Sequence, residues 1–144
     1  MEMLKKFEIK KTDSEFEVCK IKDSKSSYDF IRQFYGDDME IYESVFILLL
    51  NNANDTIGYA KISQGGIVGT VVDVRLILKY AVEGLAFGVI LAHNHPSGKI
   101  MPSEADISLT KKVKNALDCL DILLLDHIIL TSNNYYSFAD ENVL

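Results

Sequence analysis

The chain has 144 residues, 48% of them hydrophobic and 25% charged, which indicates a folded globular domain and excludes an intrinsically disordered chain. Its 21 acidic and 15 basic side chains give a net charge of −6, which argues against a general nucleic-acid binder, since neutralising phosphates requires clustered Lys and Arg. No apolar run approaches the ~20 residues that cross a bilayer, and no signal peptide is visible. We therefore expect a cytoplasmic protein without a membrane segment, whose Cys19 and Cys119 are reduced thiols.

Residues 1–38 are predicted to form an N-terminal extension, and residues 39–144 the main domain. The extension begins as a lysine-rich arm or strand with few apolar positions, which is typical of a solvated surface. It ends in a predicted helix over 26–35, because Tyr28, Ile31 and Phe34 are spaced to share one helical face.

Strand and helix patterns alternate through the rest of the chain, and the hairpins among them imply a mixed sheet. We therefore expect a single α/β (α+β) domain with a mixed central β-sheet flanked by helices. The segment 63–66, Ser-Gln-Gly-Gly, is predicted to interrupt the pattern. The predicted elements are a strand over 41–50, its hairpin partner over 56–62, a helix over 73–85, a strand over 87–92, a helix from about 103, a strand over 122–130 and a return segment over 135–138.

Two of the three histidines, His93 and His95, are one residue apart directly after the predicted strand 87–92. Side chains at i and i+2 share a face where the backbone is extended, and ligands usually bind at the carboxyl ends of such strands. Asp106 follows on the first turn of the next helix, three residues after Ser103, a spacing that is also typical of a capping box. Two imidazoles and a carboxylate commonly hold catalytic Zn²⁺ with one position open, so His93, His95 and Asp106 are predicted zinc ligands.

These residues carry a resemblance to a known family. The string His93-Asn94-His95-Pro96, with Ser103 and Asp106 downstream, resembles the JAMM (JAB/MPN) metalloprotease signature. The longer run 93–98 with Pro102-Ser103 is similar to the bacterial RadC-like proteins, and the likeness covers about residues 39–144. It extends through residues 63–66, Arg75, Asp126-His127 and residues 136–138. The resemblance implies a JAB/MPN (cytidine-deaminase-like) fold and a zinc-dependent hydrolase of peptide or isopeptide bonds.

The resemblance also implies a glutamate on an upstream strand that acts as the acid/base, and Glu43 occupies the matching position, with Glu40 as a rival on the same segment. Ser103 would offer its hydroxyl to the developing oxyanion. His127, which follows Asp126 in a predicted strand and so points to the opposite face, is either part of a buried structural pair or a partner behind a metal ligand.

Asn94 is predicted to brace a loop rather than to bind metal, because it points away from the two histidines.

Two departures from the resemblance narrow the expected function. Residues 1–38 are too few for the region resembling helix-hairpin-helix modules that RadC-like chains typically carry, so direct DNA binding is not expected. Residues 99–101 are Lys-Ile-Met, where relatives usually have an acidic residue and a proline.

We therefore expect a zinc hydrolase that acts on a peptide-like or protein substrate. The alternatives are a DNA-repair-associated accessory protein and a metal-stabilised interaction protein without turnover. An exposed sheet edge would also suit a homodimer.

Overall fold

The computed structural model describes residues 1–8, 10–66 and 70–144. No helix within these ranges is both long and apolar enough to cross a membrane. The helices and strands are α1 (Ser24–Ile31, followed by a 3₁₀ turn over Arg32–Phe34), β1 (Glu43–Leu50), β2 (Thr56–Gly65), α2 (Val74–Glu83), β3 (Gly88–Asn94), α3 (Glu104–Asp118), β4 (Leu123–Leu130) and β5 (Tyr135–Ser137).

The strands form one mixed sheet in the order β2-β1-β3-β4-β5. β3 pairs parallel with β4, joined by the crossover helix α3, whereas the other neighbouring pairs are antiparallel. The predicted single α+β domain with a mixed central sheet is therefore confirmed. β3 lies in the middle of the sheet, where its residues are buried on both faces.

The two faces of the sheet bury separate hydrophobic clusters because successive side chains of a strand point to opposite sides. On one face Ile47 and Leu91 pack with α2 and α3, through residues such as Ile77 and Val113. On the other face the sheet packs against α1; that cluster comprises Ile21, Tyr28, Ile31, Leu48, Leu50, Ile90, Ala92, Ile128 and Leu130.

The helix of the N-terminal extension begins two residues earlier than predicted and is shorter at its end. Asp23 caps it, accepting a hydrogen bond from the Ser26 backbone N–H in a capping box, and the α-helix passes into the 3₁₀ turn after Ile31. Before it, the chain is an arm attached to the β1–β2 hairpin, where Lys20 and Asp55 form an isolated bridge.

Several predicted strand limits were wrong, and β1, for example, begins at Glu43, two residues later than predicted. Residues 63–66 do not interrupt β2, which continues to Gly65, because a bulge at Ile62 absorbs one residue and lets Gly65 pair with Glu43. β3 does not end at residue 92 either. His93 and Asn94 belong to the strand, since His93 pairs with Val45 of β1 and with β4.

We predict that the sheet core tolerates truncation poorly. Leu91 is fully buried in the central strand, so Leu91→Ala is expected to lower the free energy of unfolding by about 2–5 kcal/mol through lost burial and a residual cavity. Urea denaturation followed by circular dichroism measures the change. The control is Leu76→Ala on α2, where the leucine is 39% exposed and a change within about 0.5 kcal/mol is expected. Equal effects at the two positions would contradict the packing described.

Candidate metal centre

Four of the predicted site residues meet where three elements end or begin. His93 lies near the carboxyl end of β3, on the face covered by α3, because it alternates with Ala92 and Asn94. His95 continues the same face one residue beyond the strand. Glu43 opens the antiparallel neighbour β1, and Asp106 lies in the first turn of α3.

The ligand atoms of the two histidines and Asp106 converge closely. His93 Nε2 and His95 Nε2 are 2.9 Å apart, and the Asp106 carboxylate oxygens lie 3.2 Å from the first and 3.1 Å from the second. Glu43 Oε1 stands further away, 3.9 Å from His93 Nε2 and 4.0 Å from His95 Nε2. The structure thus brings His93, His95 and Asp106 around one point, with Glu43 beside it.

A tight turn holds His95. The Gly98 N–H donates to the His95 carbonyl, and Gly98 has a φ of 83°, which a side chain would disfavour. The turn brings the Lys99 carbonyl 2.7 Å from His95 Nδ1, and since a carbonyl only accepts, Nδ1 carries the proton. The remaining nitrogen, Nε2, therefore faces the convergence point with its lone pair.

Asp106 serves the helix and the site together. Its Oδ2 accepts from the Ser103 backbone N–H at 2.8 Å, while Ser103 Oγ accepts from the Asp106 N–H at 3.1 Å, so the predicted capping box is confirmed. Within the described part of the chain, no acceptor is found for the proton of the exposed Ser103 hydroxyl. That proton is therefore available to a bound molecule.

Behind His93 and His95 lies a third imidazole. His127 of β4 is fully buried, and its Nε2 is 2.7 Å from His93 Nδ1. On its other side, Nδ1 is 2.6 Å from the hydroxyl of Thr110 on α3. Burial holds the pKa of His127 well below its usual range, with the nearby charge of His93 adding to the effect, so the ring is neutral.

Charge is distributed unevenly over the site. Burial lowers the pKa of His95, but its hydrogen bonds to Asp106 and to the Lys99 carbonyl, with the charges of Asp106 and Glu43, outweigh burial and raise the pKa above the usual value. Burial tends to raise the pKa of Asp106, yet its close polar contacts with His93 and His95 hold it far below the usual range. Asp106 is therefore an ionised carboxylate beside a histidine that protonates readily.

The other predicted residues have distinct structural roles. Asn94 braces a loop, as predicted: its Oδ1 accepts from the Ser44 N–H, and its Nδ2 donates to two carbonyls of the segment before Glu43. Glu40 is exposed and accepts from the Ser132 hydroxyl, away from the histidines.

Asp126 points to the face opposite His127, as alternation predicts. It accepts from the Ser137 hydroxyl at 2.6 Å, and burial raises its pKa. Thr110 and the Lys99 carbonyl are contacts of the histidines that were not predicted from the sequence. For Thr110, the only signal in the sequence is its position one helical turn after Asp106, which places the two residues on the same face of α3.

The residues present fit a metal ion. Ligand atoms about 2.0 Å from a tetrahedral ion lie about 3.3 Å apart, close to the separations among His93, His95 and Asp106. Glu43, His93 and His95 also offer one ligand atom each, all within 4.8 Å of one another, so this group could hold a metal ion. Among the four acids and histidines of the cluster, His93 is the most deeply buried.

Known proteins resemble this chain over most of its length. A UPF0758 protein of Flavobacterium johnsoniae is 47% identical over 124 residues, which cover 86% of this chain and 53% of that protein. A UPF0758 protein of Porphyromonas gingivalis is 45% identical over 125 residues, covering 86% and 54%, and one of Chlorobaculum tepidum is 34% identical, covering 87% and 55%. The chain thus spans about half the length of the curated relatives it matches.

The family match includes both the sheet and the helix of the N-terminal extension. The sequence model described as "RadC-like JAB domain" matches residues 21–143, a span that begins at the buried Ile21 ahead of α1 and contains the whole cluster around His93. With this match and the three relatives, the chain belongs to the RadC-like JAB domain family.

Proposed function

We propose that this domain is a zinc-dependent hydrolase of peptide or isopeptide bonds, with His93, His95 and Asp106 as the metal ligands. The observation that carries the proposal is the convergence of two imidazole nitrogens and a carboxylate at separations of 2.9 to 3.2 Å. Nitrogen and oxygen donors with three protein ligands and one open position are the pattern of catalytic zinc. When bound there, zinc would lower the pKa of a coordinated water to about 7 and polarise the scissile carbonyl.

Glu43 is the acid/base in this proposal. Its carboxylate lies 3.9 and 4.0 Å from the histidine nitrogens, further than Asp106, so Glu43 stands beside the proposed ligands, where it could accept a hydrogen bond from a water held at the centre. From there it accepts a proton from the attacking water and later donates it to the leaving amine. Its side chain is only 14% exposed, so bulk water competes little for that proton.

Ser103 would stabilise the transition state. Its oxygen already accepts the Asp106 N–H, which orients the hydroxyl, and the hydroxyl proton is available to the carbonyl oxygen of the substrate as negative charge develops there. The substrate is then a peptide-like or protein chain that reaches the end of β3 and the start of α3.

The first prediction concerns metal binding. His95→Ala and His93→Ala each remove one of three ligands, so purified protein is expected to drop from about one zinc ion per chain to background. Inductively coupled plasma mass spectrometry measures this, with circular dichroism to verify folding. Lys99→Ala is the matched control, because it keeps the carbonyl that holds His95 and should keep the zinc. Full zinc content in His95→Ala would disprove the ligand assignment.

The second prediction separates chemistry from binding. Glu43→Gln should keep zinc but lose hydrolysis by a factor of about 10² to 10⁴, because the amide cannot accept the proton of the attacking water. The assay mixes zinc-loaded protein with a proteome-derived peptide library and with isopeptide-linked peptides, and counts new amino termini by mass spectrometry. Glu40→Gln, on the exposed neighbouring acid, should match the wild type.

Two results would redirect the assignment. Equal cleavage by Glu43→Gln and wild type would remove Glu43 from the mechanism. A zinc-loaded wild type that cleaves nothing in either substrate set would favour the interaction protein without turnover, and salt-dependent binding to duplex DNA would favour the DNA-associated role.

The third prediction is a pH dependence of zinc affinity. Protons and zinc compete for the lone pair of His95 Nε2, and the pKa of His95 in the metal-free protein lies above the usual 6.5. Zinc affinity should therefore begin to fall above pH 6.5 as the pH is lowered, by about tenfold per pH unit for each displaced proton. Competition titrations with a chromophoric chelator between pH 5 and 8 test this. A zinc affinity that does not change between pH 5 and 8 would contradict the environment described for His95.

A further inference from the structure

Three buried side chains behind the metal centre form a hydrogen-bonded line that the proposed mechanism does not use. Its members are Thr110 on α3, His127 on β4 and His93 on β3, so it ties three elements together at one face of the sheet. Thr110 and His127 are 2% and 0% exposed. Buried polar groups normally have hydrogen-bond partners. Here the line of hydrogen bonds ends on a proposed metal ligand, so the choice of donor and acceptor in each bond also determines which nitrogen of that ligand is free to bind.

A backbone carbonyl sets the direction of the hydrogen bonds in this line. Thr110 Oγ1 lies 2.7 Å from the carbonyl oxygen of Asp106, one helical turn earlier. A carbonyl can only accept, so the Thr110 hydroxyl donates its single proton there. Its oxygen is left as an acceptor facing His127 Nδ1, 2.6 Å away.

That orientation determines the form of His127. Nδ1 must carry the proton, because the Thr110 oxygen it faces has no second proton to donate. His127 is fully buried and stacks on Phe138, with ring centroids 4.5 Å apart, so a charged ring would be costly. In a neutral ring with Nδ1–H, Nε2 is an acceptor.

His127 in turn determines which ring nitrogen of His93 carries the proton. His93 Nδ1 lies 2.7 Å from His127 Nε2 and must donate to it, so in the neutral tautomer of His93 the lone pair lies on Nε2, which is directed at the point shared with His95 and Asp106. His95 reaches the same state separately, through the Lys99 carbonyl. Two independent devices thus present both Nε2 lone pairs to one point.

We infer that Thr110 and His127 are positioning residues that set the tautomer of His93, so that its Nε2 is ready to bind the metal. The inference rests on the proposed metal site, because the orientation of His93 matters for an ion that binds to its Nε2. Neither residue touches substrate, and both act through His93. Partners of this kind that hold a ligating histidine change metal affinity by about 10- to 100-fold when they are removed.

The experiment compares Thr110→Val with Thr110→Ser in the full chain. Valine keeps the shape but removes the acceptor of His127 Nδ1–H, whereas serine keeps the hydroxyl. We expect zinc affinity, measured by chelator competition at pH 8, to fall about 10- to 100-fold in Thr110→Val and to stay close to wild type in Thr110→Ser. Equal affinities in the three proteins would overturn the inference.

A spectroscopic readout separates a positioning role from mere packing. Proton–nitrogen correlation spectra of the metal-free protein at pH 8 identify which ring nitrogen of each histidine is protonated. We expect Nδ1–H for His93 and His127 in the wild type and in Thr110→Ser, and a mixture of forms in Thr110→Val. A wild-type His93 with its proton on Nε2 would overturn the inference, and this measurement decides it even if Thr110→Val does not fold. Should the wild type fail to bind zinc, the proposed function fails, while the spectra still report the tautomers.

Discussion

The position of β3 between an antiparallel and a parallel neighbour is the constraint on which the site depends. Antiparallel pairing sets the start of β1 beside the end of β3, so Glu43 lies next to the histidines, and parallel pairing with β4 sets His127 behind His93. The crossover that a parallel pair requires is α3, whose first turn returns to the same end of the sheet with Asp106. A one-residue change of register in β3 would turn His93 to the α1 face and dissolve the cluster. The hydrophobic alternation that stabilises the core therefore also fixes the positions of His93, Asp106 and Glu43 relative to one another.

Asp106 links the start of α3 to the cluster around His93. One carboxylate oxygen of Asp106 accepts from the Ser103 N–H and also faces His95 Nε2. The carboxylate that caps α3 is therefore also the one that lies beside the two histidines. Capping side chains contribute about 1 kcal/mol to helix stability. Loss of Asp106 would thus weaken the helix start as well as the site, which is why the histidines, whose removal leaves the cap intact, are the cleaner probes of metal binding.

Local spacing explains which parts of this arrangement could be predicted from the sequence. The i, i+2 pair of histidines predicts a shared face, and the serine three residues before Asp106 predicts a helix cap; both depend on neighbours in the chain. The bulge at Ile62 that carries β2 to the site depends on pairing with β1, and the contact of His127 with His93 spans 34 positions. Contacts between distant parts of the chain produce no periodic pattern in the sequence. The alternation of side chains along a strand therefore predicts that His127 and Asp126 point to opposite faces of the sheet, but it does not predict that His127 contacts His93.

The electrostatics of the cluster explain why it should favour a cation. Two imidazole lone pairs and an ionised carboxylate directed at one point repel each other unless a positive charge lies between them. In the metal-free protein a proton on His95 can supply that charge, which is the reason that its pKa is raised despite burial. A divalent ion supplies more charge at the same point and can contact all three donors at once, whereas a proton is shared by two at most. Buried donor atoms whose other ring nitrogens already have hydrogen-bond partners are therefore the features that would make metal binding favourable.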